Sequence, residues 1–255
     1  MDNKIPPVNS SHPARSDCFL DMDIASAGAS ASPPPYARAG IAVALLSSAL
    51  LSSGFAWGTG PSNEHPIPSF KDLTLQNWKE RSFSGNSHYE IVDIDGTRAL
   101  KGSTDGAASI LYKKKTINLT KTPTISWTWK IDSVYEDIDE KTRQGDDFPA
   151  RLYVVVQTGL LPWETLAINY VWSSNQGIGE SWPNPFTKNA KMVVVQTGNL
   201  KAGQWVTQNR NIAADFKELF GRDVETIDGY AVMVDGDNAG KKGTAWFADI
   251  NFEVE

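Results

Sequence analysis

The sequence predicts an all-β fold, an antiparallel, jelly-roll-like β-sandwich with one short helix, on three observations. Apolar and polar residues alternate in run after run beyond Phe70, the period of a half-buried strand. Clusters of Gly, Asn, Asp and Pro separate the runs, and these residues supply turns. One stretch alone carries a persuasive helical period. Many short strands of this kind fold into two packed sheets.

The elements follow in order. Residues 89–103, YEIVDIDGTRALKGS, read as a hairpin turning at Asp95-Gly96, because both central residues of a tight hairpin turn need positive φ. ASILYKKKTINL is a further strand. In TISWTWKI, Ile125, Trp127, Trp129 and Ile131 share one face, which marks the two indoles as core. ARLYVVVQ, TLAINYVW and KMVVVQTG follow, then WVTQNRNI, GYAVMVDGD and TAWFADINFEVE. In TLAINYVW, Leu166, Ile168, Tyr170 and Trp172 fall together. The helix is expected over 213–220, with Phe216, Leu219 and Phe220 on one face, Asn211 as N-cap and Gly221 as stop.

The N-terminal part differs in kind. Residues 1–35 are rich in Ser, Ala, Pro and Asp without a period. Arg38 then precedes an apolar run from Ile41 to Leu51, and Gly54-Phe55-Ala56 offers small residues for cleavage. This is the pattern of a secretory signal peptide. The apolar run falls short of the ~20 residues of a comfortable membrane span, and an uncleaved short anchor is the competing reading. The expected organisation is a leader over 1–56, a linker over 57–69 and one β domain over 70–255, periplasmic or extracellular. Cys18, the one cysteine, falls in the leader, so the domain must be stabilised by its core and not by disulfides.

Composition limits the function. The chain carries 24 basic and 30 acidic residues, a net charge of −6, which argues against nucleic acid as a partner. His88 is the one histidine of the domain. A zinc site of His and Cys is therefore excluded by count, and a Ser-His-Asp arrangement has thin support. No glycine-rich phosphate loop precedes a helix.

Two long connections, 132–149 and 173–190, flank the most informative stretch, GDDFPARLYVVV. In an extended strand Asp147, Arg151 and Tyr153 point one way while Phe148, Leu152 and Val154 point the other. Arg151 lies ~13 Å along the strand from Asp147, so a direct partner must come from a bend, from Asp146 or from a neighbouring strand. Two readings stand: a polar ligand site on a sheet face, or an ion pair that pins the fold. VDGDNAG places Asp235, Asp237 and Asn238 as hard oxygen donors at close spacing, a set that suits calcium and equally suits a turn. Asp146 and Asp147 could share that ion. For a sugar, aromatic rings stack while Asn, Asp and Arg meet hydroxyls. Trp163, Trp172 and Trp182 lie on or beside loops, Tyr153 and Tyr170 on strands, with Asn184, Arg210 and Asn211 nearby in sequence or at strand ends.

The ordered series GDDFPARLYV, NYVW, NPF, RNI before the helix, VDGDNAG and a final aromatic strand resembles the bacterial domain-of-unknown-function 3047 family over roughly residues 70–255. Two positions depart from it: Gln208, where a glutamate is usual shortly before the RN pair, and Ala248-Asp249, where Gly-Asp is common. The resemblance implies a secreted β domain of no established activity, similar in turn to the galactose-binding-like jelly rolls of carbohydrate-binding modules. The expected function is an exported, non-catalytic domain that binds a glycan or another polar ligand. The alternatives are a polysaccharide hydrolase or lyase, pairing Asp146 or Asp147 with Asp235 or Glu164, and an envelope scaffold that binds another protein.

Overall fold

The structure, a computed structural model, describes residues 73–159 and 164–253. The predicted leader and linker, and Trp163, lie outside them. Twelve strands and one helix form two sheets among the described residues. Their order is β1 (Lys79–Ser84), β2 (His88–Ile94), β3 (Thr97–Asp105), β4 (Ala108–Asn118), β5 (Thr124–Ile131), β6 (Ala150–Gln157), β7 (Thr165–Ser173), β8 (Ser181–Pro183), β9 (Ala190–Thr197), β10 (Val206–Asn211), α1 (Ile212–Phe220), β11 (Thr226–Met233) and β12 (Lys242–Glu253). The seven-stranded sheet runs β1-β4-β11-β6-β7-β9-β8, and the five-stranded sheet runs β10-β5-β12-β3-β2. The fold is the predicted β-sandwich with a single helix.

Local chemistry explains the elements. Asp95 and Gly96 have φ of 52° and 75° and close the β2–β3 hairpin, as the Asp-Gly pair requires. Asn211 accepts the amide of Ala214 at 2.9 Å, and Gly221 ends α1 at φ 65°, a left-handed cap that glycine adopts without strain. The sequence does not announce β1 and β8. KERSFS and SWP are too short and too polar to announce strands, and the sheet supplies their pairing. One pairing departs from the antiparallel expectation: β7 and β9 run parallel, because β8 lies between them in sequence and pairs on the far side of β9.

The core lies between the sheets. Trp127 and Trp129 of β5 meet Tyr170 and Trp172 of β7, with ring centroids 5.4 and 5.9 Å apart. Large rings at this spacing bury much area and add contact energy beyond it. Leu152, Val154, Ile168, Phe216 and Phe247 complete the same cluster. The outer face of the seven-stranded sheet is also buried. Ile110, Tyr112, Tyr153, Val155, Ala167, Ala190, Ala231 and Met233 form a second apolar layer there. Strands buried on both faces read as continuous apolar runs, which accounts for the YVVV of β6. No helix among the described residues is long and apolar enough to cross a membrane.

Candidate functional site

GDDFPARLYVVV resolves into a buried clasp at one end of the seven-stranded sheet. β11 lies beside β6 with Met233 opposite Arg151, so the chain leaving β11 delivers Asp235 to the guanidinium. Arg151 donates from Nε to Asp235 Oδ1 at 2.7 Å and from Nη2 to Asp235 Oδ2. It also donates to the main-chain oxygen of Asp146 at 2.5 Å and reaches the Asp146 carboxylate at 3.5 Å. The Phe148 ring lies under the guanidinium at 4.5 Å. Arg151, Asp146, Asp147 and Asp235 are all buried. A fork donor held by a fork acceptor out of water is the strong form of this contact.

Three connections meet at this point. Asn184, from the 174–189 connection, donates to Asp146 Oδ2 at 2.9 Å. The 234–241 connection gives Asp147 three hydrogen bonds: the Asn238 amide and side chain at 3.1 Å each, and the Ala239 amide at 2.7 Å. Glu140, buried in the 132–149 connection, accepts from Ser173 Oγ and from the Ser174 amide. Gly145 and Gly236 permit the tight path, since a Cβ at either would strike the carbonyl oxygen of Asp139 or Lys241. Burial raises the carboxyls of Asp146, Asp147 and Asp235, Asp146 to about 6, against the opposing pull of Arg151 and the local hydrogen bonds. The oxygens of Asp147, Asp235 and Asp237 lie within 4.8 Å of one another.

The structure therefore gathers Asp146, Asp147, Arg151, Asn184, Asp235, Asp237 and Asn238 and separates the other sequence candidates. Trp182 packs above this end, against Phe148, Val171, Met192 and Val194, beneath Lys141; it is almost wholly buried and not a loop-exposed platform. Tyr170 and Trp172 are corrections: both face the interior between the sheets, because β7 turns its large rings toward β5. Arg210 and Asn211 belong to the five-stranded sheet and do not join Trp182. Arg210 and the Tyr170 hydroxyl both bond Asp215, the latter at 2.6 Å, and Asn211 caps α1. The pairing of Asp146 or Asp147 with Glu164 also fails. Glu164 precedes β7 at the end where Gln157 closes β6, roughly 20 Å or more along the strand from Asp147.

Tyr153 lies on the outer face with the second apolar layer, its hydroxyl near Met233 Sδ at 3.3 Å. Directly opposite it in β7 stands Asn169. This residue was not among the sequence candidates. It is fully buried, and neither atom of its carboxamide has a hydrogen-bond partner. The signal available was a lone amide on the face of TLAINYVW opposite to its large apolar residues. Its meaning depended on knowing that Tyr153 pairs with it.

No curated protein matches the chain. Among solved structures it is similar to TmCBM61 in complex with β-1,4-galactotriose (13% identity, 74% of this chain and 95% of that one, TM-score 0.36). It is similar also to a carbohydrate-binding module specific for non-crystalline cellulose (14%, 73% and 93%, 0.39). A third is the family 30 carbohydrate-binding module of a cellulosomal cellulase of Clostridium thermocellum (13%, 69% and 91%, 0.41). At these values a shared ligand does not follow. The sequence itself matches the family described as protein of unknown function, DUF3047, over residues 76–251, and the chain belongs to that family.

Proposed function

We propose that this is an exported, non-catalytic domain that binds a glycan or another neutral polar ligand on the outer face of its seven-stranded sheet. The observation that carries the reading is Asn169. A buried polar group without a partner costs about 1–3 kcal/mol, and each such group in a folded protein calls for an explanation. A carboxamide offers donors and an acceptor together, which matches a sugar hydroxyl. Tyr153 adds an aromatic ring and a hydroxyl that lies 3.3 Å from the thioether of Met233. Ala167, Ala190 and Ala231 give this part of the face small side chains. The reading requires that the face open to its ligand, since Tyr153 and Asn169 are both buried. The acids of the clasp are engaged by Arg151 and by amides, which favours binding over acid–base hydrolysis. Export rests on the leader pattern of residues 36–56.

The test is an array of neutral oligosaccharides probed with the folded protein and with Asn169→Ala. Binding by the wild type and its loss in a variant of equal or higher melting temperature is the expected result. An array that shows nothing above background with folded wild-type protein overturns the reading.

A further inference from the structure

We infer that Asp147, Asp235 and Asp237, with the hydroxyl of Tyr135, form a calcium site that ties the 132–149 connection to the 234–241 connection. The inference stands apart from the glycan reading and rests on other residues.

Three carboxylates supply oxygen ligands within 4.8 Å of one another. Two ligands of one ion cannot lie farther apart than twice the metal–oxygen distance. That limit is about 4.6–5.2 Å for calcium and about 4.0–4.2 Å for magnesium. The cluster lies inside the calcium limit, and its donors are all hard oxygens. Charge points the same way. Asp146, Asp147 and Asp235 are buried and Asp237 is half-buried, against the single guanidinium of Arg151. Arg151 takes up both oxygens of Asp235 and reaches the Asp146 carboxylate at 3.5 Å, so among the described residues Asp147 and Asp237 have amide donors but no paired cation.

The second, independent observation is Tyr135. It is 4% exposed, and its hydroxyl has no hydrogen-bond partner. The carboxylates whose charge this phenol feels most are Asp235 and then Asp147, two of the three. Gly243 leaves the hydroxyl its place, since a Cβ there would collide with it. A buried, unpartnered oxygen packed against Gly243, just beyond the connection that carries Asp235 and Asp237, is what an oxygen-rich cation site needs and what a self-sufficient salt bridge does not.

The experiment is calcium titration of the chelator-stripped protein by calorimetry, with melting temperature followed in parallel. One saturable site per chain is expected, with the melting temperature rising about 5–10 °C at a hundredfold excess of calcium over Kd. Magnesium should bind at least tenfold more weakly. Asp237→Asn, at the most exposed of the three acids, should abolish binding while leaving the calcium-free melting temperature within about 2 °C of wild type. Tyr135→Phe should weaken binding several-fold. Terbium luminescence gives a second readout that does not depend on stability, and it should be lost in Asp237→Asn. Absence of both heat and luminescence in wild type overturns the proposal. So does a response that Asp237→Asn retains in full.

Discussion

Among the described residues two arginine–aspartate forks stand out, and they differ in what surrounds them. Arg210 meets Asp215 five residues away, at the start of α1, with the Tyr170 hydroxyl as a third member. It balances one charge with one charge, and its guanidinium side chain is 36% exposed. Arg151 meets Asp235 across 84 residues of sequence, fully buried, with Asp146, Asp147 and Asp237 close by. The first fork is locally complete. The second holds one cation against several acids, so the surplus must be met by protons, by amide donors or by a bound cation. The same contact chemistry thus serves a structural pin in one place and marks a site in the other. Charge balance and burial decide which.

The comparison can be broken most directly at Arg151. Arg151→Met strands buried carboxylates, and removing one partner of a buried pair costs about 3–5 kcal/mol. Urea unfolding should show a loss of that size, and a midpoint unchanged from wild type would mean that the clasp holds nothing. Arg210→Met should cost less, about 1–2 kcal/mol. Asp215 keeps the Tyr170 hydroxyl and a favourable place in the first turn of a helix. Equal losses at the two arginines would erase the distinction between the forks. Asn211→Ala tests the helix that carries Asp215, and loss of the cap should cost about 1 kcal/mol.

Asp249 sharpens the contrast from the other side, as a buried acid whose Oδ2 has no hydrogen-bond partner. Burial raises its carboxyl to about 6. Between its unfolded value near 4 and about 6 the folded state binds more protons than the unfolded state, so its contribution to stability falls as pH rises through that window. Asp249→Asn should raise the melting temperature at pH 7, flatten its dependence between pH 4 and 6, and tolerate the local φ of 50°. A variant that melts below wild type at pH 7 would show that the charged form is stabilised by something else.

Much of the fold was legible because strand periodicity is a local property. TISWTWKI announced two core tryptophans, and both are buried between the sheets. Asn211, Asp95-Gly96 and Gly221 announced their cap and turns. The clasp was legible only in part. GDDFPARLYVVV and VDGDNAG are each conspicuous, and a neighbouring strand's carboxylate is one of the partners the sequence allows Arg151. Nothing in either segment says that β11 lies beside β6. Tyr135 and Asn169 carry little signal in the sequence because their meaning is a missing partner, and a missing hydrogen bond exists only once every neighbour is placed. Tyr170 and Trp172 look like ligand contacts in the sequence because aromatic strands look alike from either face until the second sheet covers one of them.

The sequence by itself determined the β class, the single helix with its caps, and the apolar face of each central strand. These follow from residue spacing and backbone preference, which act over a few residues. Only the tertiary structure decided sheet order, the parallel β7–β9 pair, the burial of the outer sheet face and the meeting of four acids around Arg151. Those depend on contacts between residues far apart in the chain, where the free energy of burying charge is set by which partners arrive and not by which residues stand next to one another.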